Sequence, residues 1–155
     1  MRFLMFDRIT EFQKNRRICG IKLISGESGV LERVHGELVY PAALAVESLA
    51  QLGGWLLGAS RDFAVLTVLA MVVNVRIYTP IFNGDELNLR VDAHPDYCGA
   101  DSALASGEIC RAGSRGQECV IRIAKLAYGV FPTAVPEHMK AQKRLFTALF
   151  QGSGE

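Results

Sequence analysis

Alternating apolar and polar stretches divide the first forty positions into a predicted β-hairpin and a loop. Two apolar, β-prone segments, residues 3–12 and 16–25, flank the polar residues Gln13, Lys14 and Asn15. Polar turn residues between two such segments predict a β-hairpin. Residues 26–40 carry glycines and mixed charges without a clear period. We expect a loop there, with a short strand or turn within it.

The segment that Pro41 opens is the clearest helix in the sequence. Ala, Leu, Glu and Gln are frequent in it and favour helices, and proline suits a first helical turn. The segment is apolar on nearly every face, which is typical of a buried helix rather than a surface one. Glu47 and Gln51 would be costly in contact with lipid, so we predict no membrane span.

Four β-rich runs follow the helix, and their order predicts the fold class. After a break at residues 60–62 come residues 64–78, 86–93, 103–111 and 118–131, separated by turn signals. This order predicts an antiparallel meander after the hairpin, the loop and the helix. The expected architecture is an α+β fold in which one curved antiparallel sheet wraps a long central helix.

The C-terminal tail from Pro136 has the pattern of an amphipathic helix. We expect this helix to pack on the body of its own chain rather than to bind a partner or a membrane surface. Its apolar stripe consists of Met139, Leu145, Phe146, Leu149 and Phe150.

Composition and charge narrow the class of protein. A chain of 155 residues with 50% hydrophobic residues suits one globular domain, and we assign residues 1–133 to that domain and 134–155 to the helical tail. The net charge of +1 gives no reason to expect nucleic-acid binding. Four cysteines without CxxC spacing, and an N-terminus without a secretory pattern, predict reduced thiols in a cytoplasmic protein. We expect neither a disulfide nor a metal site.

Three motifs carry a resemblance to a known enzyme family. They are FLMFDRI at residues 3–9, VYPAALAVESLAQ at 39–51 and NVRIYTPIFNGDEL at 74–87. In this order they resemble PFLxxDRI, HFPGxPxMPGxLxxEAxAQ and RRPVxPGDxL of the 3-hydroxyacyl-acyl-carrier-protein dehydratases, which have the hotdog fold. The resemblance covers about residues 3–131. Asp85, in the third motif, is interpreted as a turn residue that shapes the bend between strands.

The resemblance implies a hydro-lyase that converts 3-hydroxyacyl thioesters to 2-enoyl thioesters in fatty-acid or polyketide-like synthesis. The acyl group would be carried on the phosphopantetheine of an acyl carrier protein or on coenzyme A, and no dissociable cofactor or metal would be needed. Because a lone hotdog protomer exposes an edge strand, we expect at least a dimer. The dimer would be a homodimer, or a heterodimer with a related hotdog subunit.

The resemblance assigns the acid of the reaction to Glu47. In that family a histidine takes the C2 proton and a carboxylic acid protonates the departing 3-hydroxyl, and the two residues come from different protomers. Gln51 lies one helical turn after Glu47, where its amide can hydrogen-bond the carboxyl group. Burial in an apolar helix is expected to raise the pKa of Glu47, as a general acid requires. Ala42 falls on the position whose backbone N–H polarises the thioester carbonyl.

The histidine position is where this chain departs from the family pattern. An ungapped comparison puts Arg33 at the histidine, Gly36 on the motif glycine and His35 two residues late. Two residues of extended chain span roughly 6.6 Å, and a permanently protonated arginine cannot act as a base. Either a shifted loop brings His35 to the thioester as the base, or the chain has no base. His94 and His138 are interpreted as surface or structural residues.

Two alternatives to dehydration stay open. Arg33 at the histidine position suggests a catalytically degenerate subunit or acyl-binding module that completes a site with an active relative. The other alternative is an acyl thioesterase, in which Glu47 activates water or attacks the thioester carbonyl. The helix motif resembles the dehydratases more closely, so hydrolysis is the less favoured of the reactions.

Overall fold

A computed structural model describes residues 4–26, 29–133 and 135–151, and over these residues the chain forms two β-sheets and two α-helices. Phe3 of the first motif, and residues 134 and 152–155 of the predicted tail, lie outside the described residues. The helices are α1 (Ala42–Ser60) and α2 (Pro136–Gln151), and a short 3-10 turn covers Pro95–Tyr97. The strands are β1 (Arg8–Gln13), β2 (Arg17–Leu23), β3 (Glu32–Val34), β4 (Glu37–Tyr40), β5 (Val65–Ile77), β6 (Ile81–Phe82), β7 (Glu86–Ala93), β8 (Ser102–Gly113) and β9 (Gly116–Pro132).

A six-stranded antiparallel sheet packs around α1. Its strand order is β1-β2-β7-β8-β9-β5, and β1 and β2 form the hairpin that the sequence predicts. Alternate side chains of the strands, such as Ile18, Leu89 and Ile109, form one buried core with Leu49 and Leu52 of α1. The α+β architecture, with the sheet around a central helix, is confirmed.

The strand order differs from the predicted meander in one respect. Strands β7, β8 and β9 are consecutive neighbours, as expected, but β5 pairs with β9 at the sheet edge rather than with β7. The short strand β6, which the sequence analysis missed, pairs with β4 outside the main sheet, and the chain then enters β7 beside β2. The prediction was wrong here because sequential strands are usually, but not always, neighbours, and local alternation does not specify the pairing.

Asp85 has the structural role that the sequence predicts for it. Its carboxylate accepts the backbone N–H of Phe82 at 2.9 Å and pairs with Arg111 of β8 at 2.8 Å. Gly84, directly before it, has a φ of 91°, which favours glycine. The turn between β6 and β7 is thereby fixed to the main sheet.

The expected loop before Pro41 contains a tight hairpin of β3 and β4. His35 and Gly36 connect the two strands, with φ angles of 48° and 89°. Positive φ at both central residues is typical of a type I′ turn, in which glycine is favoured at the second position. Nη1 of Arg33 donates to the carbonyl of Gly36 at 3.0 Å. His35 therefore lies at the exposed tip of this hairpin.

Helix α1 is buried on one side and open on the other. Leu49 and Leu56 are fully buried, whereas Ala43 and Glu47 are exposed. The predicted buried helix is confirmed for most of α1, because ten of its nineteen residues are buried and only Ala43 and Glu47 are exposed. Among the described residues α1 alone is long and apolar enough to cross a membrane, but 56% of its most apolar window is buried inside the protein, as in a core helix.

Helix α2 packs on the body of its own chain. The ring of Phe146 lies 5.2 Å from Phe12 of β1, 6.0 Å from Trp55 of α1 and 5.5 Å from Phe63, measured between ring centroids. Leu149, one turn after Leu145, is buried. The predicted amphipathic helix and its packing on the same chain are observed.

Candidate active site

A short series of hydrogen bonds connects Glu47 to the N-terminal segment. The backbone N–H of Met5 donates to Oε1 of Gln51 at 2.9 Å, and Nε2 of Gln51 donates to Oε1 of Glu47 at 3.0 Å. The Ser48 hydroxyl donates to the carbonyl of Met5 at 2.7 Å and holds this segment on α1. The Gln51 amide is therefore oriented through its oxygen and presents its NH₂ group to Glu47. The predicted hydrogen bond between Gln51 and Glu47 is present.

The side chain of Glu47 is exposed in the single chain, although it belongs to the central helix. The burial that the sequence analysis expects for this carboxyl group is therefore not supplied by its own chain. Its position on the exposed side of α1, which also carries Ala43, leaves the carboxyl group accessible to a ligand.

A cavity of about 420 Å³ lies beside Glu47. It runs along α1 from Glu47 to Gly58 and is bounded on the other sides by β5 and α2. A Cβ atom built at Gly54 would lie 3.1 Å from Oγ1 of Thr67, so the glycine keeps this part of the cavity open. The volume is in the range of small-molecule sites, which are mostly apolar with a few polar groups. The polar lining consists of Glu47, Gln51, Thr67, Tyr128, His138 and Gln142.

Tyr128 contributes a neutral hydroxyl to the wall of the cavity. It is buried, and its hydroxyl donates to the carbonyl of Ala50 at 2.8 Å. Burial, and secondarily the negative charge of Glu47, raise the pKa of Tyr128 well above its usual range. The phenol therefore stays protonated near neutral pH and acts as a fixed hydrogen-bond donor rather than as an acid or base.

The structure does not bring all of the predicted site residues together. Glu47 and Gln51 share the cavity, but Arg33, His35 and Gly36 belong to the exposed β3–β4 hairpin and are not among the described residues that line it. Ala42 is the first residue of α1, five residues before Glu47, and also lies outside the lining. Within one chain, His35 and Glu47 therefore do not form a pair.

His138 is a cavity-lining residue that the sequence analysis did not place near Glu47. It was interpreted as a surface or structural histidine, yet it lines the same cavity as Glu47. His138, Gln142, Leu145 and Leu149 are spaced by four, three and four residues, which places the histidine on the apolar side of α2. This spacing was visible in the sequence, but the surface that this side of α2 covers was not.

A separate group of possible metal ligands lies on the main sheet. Among the described residues, ligand atoms of Glu108, Cys110 and Cys119 lie within 4.8 Å of one another. Glu108 already pairs with Arg90 at 3.5 Å and with Arg122 at 3.4 Å. Burial, followed by the charge of Glu108, raises the pKa of Cys110 to about 11, so its thiol is protonated near neutral pH. Because the arginines and the protonated thiol both disfavour a cation, we assign no metal to this group.

Curated relatives decide the family. No protein-family model matches the chain. A 3-hydroxyacyl-(acyl-carrier-protein) dehydratase FabZ from Geobacter metallireducens is 31% identical over 115 residues, which are 69% of this chain and 77% of that protein. The chain belongs to the FabZ family. A FabZ from Exiguobacterium sibiricum is also 31% identical, over 116 residues that are 69% of this chain and 81% of the relative. The match to the FabZ of Symbiobacterium thermophilum, at 29% identity, spans 65% of that protein.

Solved structures agree with FabZ membership at the level of the fold. A thioesterase family protein from Silicibacter pomeroyi has a TM-score of 0.65 and 11% identity, covering 81% of this chain and 85% of its own. A hypothetical thioesterase from Streptococcus pneumoniae TIGR4, solved with coenzyme A, has a TM-score of 0.62 and 11% identity, covering 82% and 87%. Likeness at this identity shows the fold alone, and it confirms the predicted hotdog fold.

Proposed function

We propose that this protein dehydrates a 3-hydroxyacyl thioester to a 2-enoyl thioester. The observation that carries the proposal is the Glu47 carboxyl group, hydrogen-bonded by Gln51 beside a largely apolar cavity. The cavity follows α1 from Glu47 to Gly58, eleven helical steps or roughly 16 Å at the rise of an α-helix. An acyl thioester has one polar reacting end and an apolar chain, and this arrangement matches both.

Glu47 is the proposed general acid. In its protonated form it gives a proton to the 3-hydroxyl oxygen as the C3–O bond breaks, while a base removes the C2 proton. The electron pair of the C2–H bond forms the C2=C3 double bond, and water leaves. Ala42 lies beyond the Glu47 end of the cavity, and its backbone N–H, which has no acceptor within the helix, is the proposed donor to the thioester carbonyl. These proton transfers require no metal or dissociable cofactor.

The β3–β4 hairpin is the proposed contribution of a second subunit. His35 at its tip is one candidate for the base when the hairpin of one subunit meets the Glu47 cavity of another. Gly36 allows the turn that presents it, and Arg33, which holds the Gly36 carbonyl, supports the same turn. In this arrangement the residues that line the cavity and those of the hairpin act together only in an oligomer.

The proposed oligomer is a dimer that joins two chains at β5. This strand forms one edge of the main sheet, and an unpaired edge exposes backbone hydrogen-bonding groups. A second chain paired there also covers the exposed side of α1, and with it Glu47. The second chain is another copy or a related hotdog subunit. Large apolar side chains exposed on this strand are Leu66, Val68, Met71, Val75 and Ile77.

The proposed substrate is presented on an acyl carrier protein or on coenzyme A, in the cytoplasm. The FabZ relatives are named for activity on acyl-carrier-protein thioesters. The net charge of this chain is only +1, so overall electrostatic attraction favours neither an acyl carrier protein nor coenzyme A.

Two other functions have an observation in their favour. The position of His35 and Arg33 outside the cavity fits a degenerate subunit whose base comes from an active relative. The exposure of Glu47 to solvent fits a thioesterase in which the carboxylate activates water. The degenerate subunit would need a partner for activity, and the thioesterase would release a free thiol.

The test measures dehydration and thioester hydrolysis on one set of substrates. Wild-type protein, Glu47→Gln and the control Glu86→Gln are incubated with 3-hydroxyacyl thioesters of an acyl carrier protein and of coenzyme A. Enoyl-thioester absorbance reports dehydration, and a thiol reagent reports hydrolysis. We expect dehydration by the wild type and by Glu86→Gln, an exposed residue outside the cavity, and a loss of about 100-fold or more in Glu47→Gln.

Each alternative predicts a different result. Thiol release that depends on Glu47, without enoyl product, would establish a thioesterase. Dehydration only after co-expression with a related hotdog subunit would establish a degenerate subunit. Wild-type protein that gives neither product, alone or with such a subunit, overturns the proposal.

A further inference from the structure

We propose that His138 of α2 is the base that removes the C2 proton in the Glu47 cavity of the same chain. The proposal rests on the proposed dehydratase function and identifies its missing base. The family pattern has a histidine where this chain has Arg33, and the structure supplies another imidazole from a helix outside the motif. Each chain would then carry both proton-transfer groups.

The packing of α2 places His138 at the wall of the cavity. Phe146, two turns further along the helix, packs edge-on against Phe12 and Phe63 and stacks on Trp55. With this end of α2 anchored, residues of its inner face line the cavity that α1 and β5 also border. His138, Gln142 and Leu145 all line the cavity, at the spacing of neighbouring turns. The half-buried position of His138 therefore follows from the helix as a whole.

Besides His138, the described lining of the cavity has few side chains that could take up or release a proton. Its titratable lining residues are Glu47, Tyr128 and His138. Burial raises the pKa of Tyr128 and keeps the phenol protonated. Imidazole is the side chain that ordinarily takes and releases protons in the neutral range. A carboxyl group and an imidazole in one cavity are the pair that dehydration requires, one as acid and the other as base.

The other two histidines of the chain are placed elsewhere. His35 lies at the exposed hairpin tip, and His94 follows β7, where its backbone N–H donates to the carbonyl of Leu104 at 2.9 Å. Neither lines the Glu47 cavity. His94 is a matched control, because the same substitution there leaves the cavity unchanged.

The proton balance of the step is complete within the cavity. One imidazole nitrogen of His138 accepts the C2 proton as the C2=C3 bond forms. Glu47 donates its proton to the 3-hydroxyl, the C3–O bond breaks and water leaves. The site ends with an imidazolium and a carboxylate, and it is reset when the imidazolium loses a proton to solvent and the carboxylate gains one.

The first experiment separates the base from the acid. His138→Gln, His35→Gln and His94→Gln are compared with the wild type in two assays: dehydration of a 3-hydroxyacyl thioester, and exchange of the C2 protons of a saturated acyl thioester in D₂O, followed by mass spectrometry. Exchange needs the base but no leaving group. We expect His138→Gln to lower both rates by at least about 100-fold, with KM and the circular dichroism spectrum unchanged. His94→Gln should match the wild type.

The second experiment tests whether the base and the acid belong to one chain. Glu47→Gln and His138→Gln subunits are co-expressed with different tags, and the mixed dimer is purified through both. If the two groups act within one chain, each subunit of the mixed dimer lacks one of them, and activity stays at the level of the single variants. If the site combines residues of two subunits, one of the two sites is intact and about half of the activity returns.

The outcomes distinguish this proposal from the proposed function. Wild-type activity in His138→Gln, or loss of exchange in His35→Gln alone, overturns the role of His138 and leaves dehydration in place. Recovery of activity in the mixed dimer overturns the one-chain site. A wild type that catalyses neither dehydration nor exchange, alone or with a related hotdog subunit, overturns both proposals.

Discussion

Gly53 of α1 lies directly against the phenol of Tyr128 on β9. A Cβ atom built at Gly53 would overlap the Tyr128 hydroxyl, and the ring carbon that carries this hydroxyl would lie at 3.0 Å. The hydroxyl donates to the carbonyl of Ala50, so it is held in place and cannot simply rotate away. The glycine therefore allows the close approach of helix and sheet at the wall of the cavity.

Gly53→Ala should destabilise the protein, although alanine is the better helix former. Helix propensity alone favours alanine over glycine by about 1 kcal/mol. Overpacking in a buried contact costs about 1–3 kcal/mol and should exceed that gain. We expect a net loss of roughly 1 kcal/mol in the free energy of unfolding, measured by urea denaturation.

Tyr128→Phe provides the matched background for this comparison. It removes the oxygen that the new methyl group would overlap, so Gly53→Ala should be less harmful in Tyr128→Phe than in the wild type. A double-mutant cycle gives the difference as a coupling free energy. Equal effects of Gly53→Ala in both backgrounds would show that the contact with the hydroxyl does not limit the packing.

Gln51→Leu should lower the turnover of the proposed dehydratase. The amide of Gln51 is held by Met5 and donates to Glu47, so its removal frees the carboxyl group to change rotamer. Glu47 acts in its neutral, protonated form, and a hydrogen bond between neutral groups contributes about 0.5–1.5 kcal/mol, which corresponds to a loss of roughly twofold to tenfold in kcat. KM should change little, because leucine preserves the volume of the side chain.

The control for this variant is Gln117→Leu, an exposed residue of β9 outside the cavity lining. It should leave kcat unchanged. A rise in KM without a fall in kcat in Gln51→Leu would assign Gln51 to substrate binding rather than to the positioning of Glu47.

Site residues that lie on the same helix were the easiest to predict from the sequence. Glu47 and Gln51 are four positions apart, and helical geometry brings their side chains together whatever else surrounds them. The hydrogen bond between them is present for that reason. The exposure of Glu47 was not predictable in the same way, because it depends on β5 pairing with β9 and leaving an open edge beside α1.

His138 shows the limit of local patterns most clearly. Its place on the apolar side of α2 follows from the sequence, but its place in the Glu47 cavity depends on how α2 folds back over α1. That contact joins residues nearly a hundred positions apart. The β3–β4 turn could have been predicted from the sequence more easily, because His35 and Gly36 have the pattern of a two-residue hairpin turn, with glycine in the second position.

The stability of the protein should fall as the pH rises from about 9 to about 11. Burial, followed by the nearby Glu11 carboxylate, raises the pKa of Cys19 from 9.0 to about 11, and burial raises that of Cys110 to about 11 as well. A raised thiol pKa means that the folded state binds the proton more tightly than the unfolded state. The stabilisation is therefore fully present below about pH 9 and is lost as the pH approaches 11.

The double variant Cys19→Ala/Cys110→Ala isolates this contribution. Lysine titration affects both proteins alike, so the difference between their pH profiles reports the two thiols. Because both side chains are partly exposed, we expect each thiol to account for on the order of 1 kcal/mol of the alkaline loss, less than the full shift implies. The measurement is the free energy of unfolding in urea at several pH values across this range. Parallel profiles for wild type and double variant would show that the thiols titrate alike in the folded and unfolded states.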